Sequence, residues 1–149
     1  MPPVAPAEYA PVVDSAVTRA VGRHRVERVL ALARHLAASD RALVERVFSR
    51  ERSVADLARA AGVSPRRLQR RVRAVMAHLH HPLFRFAIEH PHLIPDDARA
   101  VVTLWARTRA SRATLARELD LSYHAVRTRL RDTATLARLW GYGGTGSSE

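Results

Sequence analysis

The stretch SVADLARAAGVSPRRLQRRVRAVMAHL, residues 53–79, decides the fold predicted for this chain. Ser53 supplies an N-cap hydroxyl, so one helix begins beside it, and Gly62 supplies the left-handed backbone that ends this helix. Ser64 caps again, and Pro65 suits the first position of a second helix, where its missing N–H costs nothing. The sequence therefore predicts two short helices joined by a tight turn at Gly62.

The second of these helices has one apolar and one basic face. Leu68, Val72 and Val75 recur at helical spacing and are expected to pack inward, with the small Ala58 where the two helices cross. Arg binds guanine or phosphate in a bidentate manner, and Gln pairs with adenine. The pattern is typical of a helix-turn-helix, whose second helix enters the major groove; the alternative is a hairpin in an ordinary helical bundle with a solvated basic face. The candidate DNA-binding residues here are Arg66, Arg67, Gln69, Arg70 and Arg73.

Composition favours a helical protein with an acidic partner. The chain has 149 residues, of which 47% are hydrophobic and only 5% aromatic, and its formal net charge is +11. This excess of positive charge favours an acidic partner, foremost nucleic acid. Every basic side chain other than His is Arg, and a GC-rich coding sequence would also explain the missing Lys. No Cys is present, so disulfides and thiolate metal sites are excluded. With no membrane span and no signal peptide in the sequence, we expect a soluble, cytoplasmic protein.

The same pattern returns 58 positions later. Ser53, Leu57 and Ala58 match Ser111, Leu115 and Ala116. Repetition at a fixed offset is evidence that a chance match to a motif does not provide. The turn residue Asp120 replaces Gly62, which is tolerable because Asp enters the left-handed region more readily than most residues. The candidate DNA-binding residues of the second copy are Tyr123, His124, Arg127, Thr128 and Arg131.

The chain divides into six parts on this interpretation. A helix in front of each helix-turn-helix is expected, because two short crossed helices bury too little apolar surface alone. Ser39 or Asp40 is predicted to cap the one in the first copy. The predicted parts are a disordered leader (1–11), one or more packing helices (12–38), the first repeat (39–79), a connector (80–95), the second repeat (96–140) and a flexible tail (141–149).

The connector HHPLFRFAIEHPHLIP, residues 80–95, combines prolines and histidines. Its apolar residues predict one short helix between the two repeats. The histidines raise the hypothesis of a zinc or nickel site, but no ligand spacing is satisfied, and polar caps around Pro82 and Pro91 explain them equally well. We expect no metal and no cofactor. Catalysis is not expected either, since no acid–base pair, phosphate loop or triad pattern is present.

Residues 53–79 and 113–139 resemble the region-4 helix-turn-helix of bacterial sigma factors, especially the extracytoplasmic-function group. Both stretches carry that family's LA-type helix, a VS or LS turn and a V-x-x-x-L or similar second helix. The resemblance implies reading of a promoter element and contact with RNA polymerase, with Arg66, Gln69, Arg70 and Arg73 at the base- or phosphate-reading positions. No stretch resembles sigma region 2. The first copy also resembles, more weakly, the helix-turn-helix of arabinose-regulator-type proteins.

The sequence thus predicts an all-α fold with tandem helix-turn-helix units behind an N-terminal packing helix. The expected function is binding of double-stranded DNA, as a transcriptional regulator or sigma-like accessory. The alternative is a protein-interaction module that docks on RNA polymerase or another acidic protein surface. Target sequence, regulatory sign, effector and oligomeric state are left open by the sequence.

Overall fold

Eight α-helices and one turn of 3-10 helix make up most of the residues that this computed structural model describes, 12–49 and 53–143, and these contain no strand. The predicted all-α fold is confirmed, while the predicted leader and residues 144–149 of the tail lie outside the described residues. The helices are α1 (Val12–Ala33), α2 (Ala38–Phe48), α3 (Val54–Ala61), α4 (Pro65–Leu79), α5 (Pro82–Glu89), α6 (Asp96–Thr108), α7 (Arg112–Leu119) and α8 (Tyr123–Leu139), with the 3-10 turn at Pro91–Leu93.

The turns within the two repeats are built alike. Gly62 and Asp120 both adopt the left-handed conformation, at φ values of 71° and 53°. In each turn the next residue donates its N–H to a carbonyl one helical turn back, to Ala58 in the first repeat and to Ala116 in the second. Since α3 and α4 begin 58 positions before α7 and α8, the two repeats share one local structure. The assignment of tandem helix-turn-helix units stays a prediction.

Three clusters of buried side chains form the core. The junction cluster joins α1, α2, α4, α5 and α6, and its members are Val29, Ala33, Leu36, Val44, Val75, Leu79, Phe84 and Ala106. The second-repeat cluster is the largest and joins α5 to α6, α7 and α8. The first-repeat cluster is the smallest of the three, and its buried members are Leu43, Ala58 and Leu68. The first repeat therefore depends on α1 and α5 for most of its apolar burial.

Two predictions of local structure are wrong. Neither Ser39 nor Asp40 caps α2, because the helix begins earlier, with Ala37 as N-cap and no side-chain cap bond. The start of the predicted flexible tail is docked: the Tyr142 N–H donates to the Ala137 carbonyl, and the Tyr142 ring lies 5.7 Å from that of Phe86. The Tyr142 hydroxyl also donates to the Glu89 carboxylate. An aromatic side chain within reach of an apolar cluster outweighs the local preference of a Gly-rich stretch for disorder.

No helix within the described ranges has both the length and the apolar character that crossing a bilayer would require.

Candidate nucleic-acid interface

The first turn of α4 is fixed by its caps. The Ser64 hydroxyl accepts a hydrogen bond from the Arg67 N–H at 3.1 Å, and Pro65 occupies the first helical position. Leu68 is buried against Leu43 and Ala58 and pins the helix to its own repeat. These contacts determine which side of α4 faces solvent, because a helix with one face buried has no freedom to rotate about its axis.

All five candidate residues of α4 are exposed. The four arginines among them form no ion pair with any carboxylate in the described part of the chain. The helix itself contains no acidic residue, so these positive charges are not neutralised locally. A helix face of this kind attracts anions and offers bidentate donors to them. The exposed residues are Arg66, Arg67, Gln69, Arg70 and Arg73.

Arg71 is the one arginine in this part of α4 that turns back toward the protein. Its Nη2 donates to the Ser39 hydroxyl at 2.6 Å and to the Asp40 carboxylate at 3.0 Å. Asp40 also accepts two hydrogen bonds from Arg109, at 2.7 Å from Nε and 3.1 Å from Nη2. One carboxylate therefore links α2, α4 and the end of α6, an arrangement that we call the Asp40 bridge.

Asp40 is buried, and only 10% of the surface of its side chain is exposed. Burial by itself would raise the pKa of Asp40, but the hydrogen bonds and positive charges of Arg109 and Arg71 outweigh it and hold the pKa below its ordinary value. The carboxylate is thus ionised throughout the neutral range. Sequence reasoning missed this role, although Asp40 stands at helical spacing with the apolar Leu43, Val44 and Val47, and an acid on an apolar face signals a buried ion pair.

The candidate face of α8 is less basic and less uniform. Tyr123, His124, Arg127 and Arg131 are exposed as predicted. Arg131 lies 3.3 Å from the carboxylate of its neighbour Asp132, so part of its charge is compensated. The predicted exposure of Thr128 is wrong: the residue is half-buried, and its hydroxyl oxygen is buried without a hydrogen-bond partner among the described residues. Thr128 faces the start of α6, because α6 and α8 pack closely in the second repeat.

The first repeat contains a groove that the second repeat fills. The groove has a volume of about 580 Å³ and lies between α2, α3 and α4, with Arg46 and Ala61 among its lining residues. At the matching positions of the second repeat stand Leu104 and Leu119, which pack half-buried against the second-repeat cluster. The open groove follows from this difference in side chains, because Arg keeps its head in water and Ala is too small to fill the space.

No protein-family model, curated protein or solved structure matches this chain. The resemblances to sigma region 4 and to arabinose-regulator-type proteins therefore stay predictions.

The histidines of the connector region act in local structure. In residues 12–49 and 53–143 no three side chains of His, Asp or Glu converge in a way that would hold a metal ion. His81 caps α5 by accepting a hydrogen bond from the Leu83 N–H. His78 is buried between the rings of Phe84 and Trp105, and its Nε2–H donates to the Ala106 carbonyl at 2.9 Å. His78 therefore joins the first repeat to the second.

Protonation of these histidines is expected to destabilise the protein in mild acid. Burial lowers the pKa of His78 and of His81 below the ordinary value of 6.5. The unfolded chain then binds more protons than the folded chain once the pH falls below about 6.5. The free energy of unfolding therefore has its full value above that pH and declines as the pH falls further, by at most about 1.4 kcal/mol per pH unit for the buried His78 and by less for the more exposed His81. Urea unfolding between pH 5 and 8 measures the decline. His78→Gln keeps a donor for Ala106 without a titrating group and should flatten the profile, and a decline as steep as in the parent protein would contradict this assignment.

Proposed function

We propose that this protein binds double-stranded DNA through α4 and α8, with the two repeats acting as helix-turn-helix units in transcription regulation. The observation that carries the proposal is the exposed face of α4, which is fixed by Ser64 and Leu68. It presents Gln69 and four arginines that pair with no carboxylate of the described residues. Arginine and glutamine are the side chains that read guanine and adenine in the major groove, and arginine also binds phosphate.

The structure around α4 supports its use as a reading helix. The backbone of its first turn is held by a cap and a proline, so the exposed side chains start from a rigid base. A backbone that is already ordered loses less conformational entropy on binding. The turn before α4 also carries no bulky side chain at Gly62, which leaves open space at the position where a Cβ would stand. A duplex could approach this end of the helix closely.

The second repeat is proposed to contribute less affinity than the first. Its candidate face has only two exposed arginines, one of which pairs with Asp132. Tyr123 and His124 offer a hydrogen-bonding hydroxyl and imidazole in place of fixed positive charge. In this proposal α4 supplies most of the electrostatic attraction, and α8 adds contacts that depend on the sequence of the duplex.

Binding to a duplex is expected to depend steeply on salt. Each phosphate neutralised by arginine releases condensed counterions, so the logarithm of the binding constant falls with the logarithm of the salt concentration with a slope of about −0.9 per phosphate. If the four unpaired arginines of α4 each contact one phosphate, the slope is about −3.6 from this helix alone. Fluorescence anisotropy with one labelled duplex at a series of NaCl concentrations measures the slope. A slope near zero, or no binding at low salt, would overturn the proposal.

The groove in the first repeat favours a second candidate function, docking on an acidic protein surface such as that of RNA polymerase. Arg46 at the groove pairs with no carboxylate among the described residues, and the apolar lining would accept an aliphatic side chain of a partner.

Ala61→Leu should fill the groove and weaken docking on purified polymerase, while Ala77→Leu on the exposed outer side of α4 serves as the control. Equal binding of both variants would remove this candidate.

A further inference from the structure

Besides the apolar contacts of the junction cluster, three hydrogen-bonding points near the end of α6 join the second repeat to the first repeat and to Ala37 just before it. The Ala37 N–H donates to the Arg107 carbonyl at 2.9 Å, and His78 donates to the Ala106 carbonyl at the same distance. The third point is the Asp40 bridge, in which Arg109 is bound by two of its nitrogens. Among the three, only the Asp40 bridge reaches the half of α4 that carries the exposed arginines, because Arg71 lies between Arg70 and Arg73.

The backbone at Arg109 indicates that its side chain is needed at this position. Arg109 ends α6 in the left-handed conformation with φ of 58°. Glycine is the usual residue at such a helix end, since a Cβ in this conformation costs about 1–2 kcal/mol. The bidentate hydrogen bond between the guanidinium and the buried Asp40 offsets that cost. An arginine in the place of a glycine thus ties the end of α6 to α2 and α4.

We propose that the Asp40 bridge holds α4 and α8 in one relative position, so that the protein reads a two-part duplex site whose halves lie at a single fixed spacing. This inference rests on the proposed function. Arg71 ties α4 to Asp40, Arg109 ties Asp40 to α6, and α6 packs along α8. The apolar contacts of Val75 and Leu79 hold only the far end of α4. The Asp40 bridge adds a second attachment, beside the exposed arginines. It prevents this half of α4 from pivoting about the contacts of Val75 and Leu79.

Arg109→Gly is the variant that tests the bridge most cleanly. Glycine suits the left-handed backbone, and Asp40 keeps Arg71 as its partner, so the link through Arg109 is removed without leaving an unpaired buried charge, while the contacts of Ala37 and His78 remain. Arg107→Ala is the matched control, because Arg107 is exposed, lies on the same helix end and carries the same charge. Arg109→Lys keeps the charge but not the bidentate geometry and should restore the bridge in part.

Distances between the repeats can be measured without DNA. The chain has no cysteine, so one cysteine at Ala74 on α4 and one at Thr135 on α8, both exposed, can carry a pair of nitroxide labels. Double electron–electron resonance should give a single narrow distance for the parent protein and for Arg107→Ala, a broad distribution for Arg109→Gly and an intermediate one for Arg109→Lys. Circular dichroism checks that each variant is helical. An unchanged narrow distance in Arg109→Gly would overturn the proposal.

Selection from a random duplex library tests the consequence for DNA. The parent protein and Arg107→Ala should enrich two subsites at one spacing, whereas Arg109→Gly should enrich the same subsites at several spacings. Enrichment of one spacing by all three would overturn the inference and leave the proposed function intact. If the parent protein enriches no duplex, the proposed function fails and the spacing proposal with it, while the measured distances still decide whether the bridge holds the repeats together.

Discussion

Replacing Arg66 and Arg70 together by alanine is expected to weaken duplex binding by about 2–6 kcal/mol, since each bidentate contact with a base is worth about 1–3 kcal/mol. Both side chains are exposed on α4 and have no acidic partner among the described residues. If they contact phosphate alone, the loss is smaller and nearly the same for every sequence, and the salt slope falls by about 1.8. Anisotropy with one labelled duplex at fixed salt measures the loss.

The control for this double variant removes equal charge elsewhere. Arg23 and Arg25 are exposed on α1, and their joint replacement by alanine lowers the net charge by the same amount. Arg127→Ala on α8 tests the second repeat. Both should cost less than the loss of Arg66 and Arg70. Equal losses from the α1 and α4 double variants would show that binding follows net charge alone, and a larger loss from Arg127→Ala would place the main reading helix in the second repeat.

Asp40→Ala is expected to lower the free energy of unfolding by about 3 kcal/mol, because removal of one partner from a buried ion pair leaves the other charge without compensation. Two guanidinium groups lose their carboxylate here, and Arg109 also loses the contact that offsets its left-handed backbone. The side chain of Arg71 is 41% exposed, and access to water keeps the cost at the lower end of the range for buried pairs. Urea unfolding at pH 7, followed by circular dichroism, gives the value.

Asp132→Ala is the matched control for this stability measurement. Asp132 pairs with Arg131 at 3.3 Å, but both side chains are more than half exposed, and such a surface pair contributes about 0–1 kcal/mol. A loss from Asp40→Ala no larger than that from Asp132→Ala would contradict the assignment of Asp40 as a buried link.

The Asp40 bridge is also expected to respond to acid in a lower pH range than the histidines. The pKa of Asp40 is held below its ordinary value of 3.8. The ionised carboxylate therefore makes its full contribution to the free energy of unfolding above that pH, and this contribution is lost at still lower pH.

Local signals in the sequence account for the helices and turns of both repeats. Ser53 and Ser64 each accept the cap hydrogen bond expected of them, and Ser111 and Ser122 accept the same bond 58 positions later, all at distances of 3.0–3.2 Å. These bonds join residues three apart, so their geometry depends on nothing distant in the chain. The exposed arginines of α4 were predictable for the same reason, because the apolar stripe through Leu68 and Val75 fixes which face turns outward.

Sequence patterns were less informative where a residue has partners far along the chain. The expected cap at Asp40 failed because α2 begins earlier, after Ala37. The Asp40 carboxylate instead pairs with Arg71 and Arg109, which lie 31 and 69 positions away. Tyr142 was assigned to a flexible tail, yet it contacts Glu89, which is 53 positions earlier. Thr128 was expected to face solvent, but the close packing of α8 on α6 half-buries it. In each case long-range packing replaced a local preference of the backbone.

The sequence by itself determined the repeat at 58 positions and most of the helices and turns. Helix caps and apolar stripes are readable there because the hydrogen bonds and side-chain contacts within a helix join residues at most four apart. Only the tertiary structure decided how the repeats are joined. The partners of Asp40 and the groove beside Ala61 depend on which side chains meet after the helices pack. These long-range contacts depend on shape and charge across the whole core, and no local spacing in the chain predicts them.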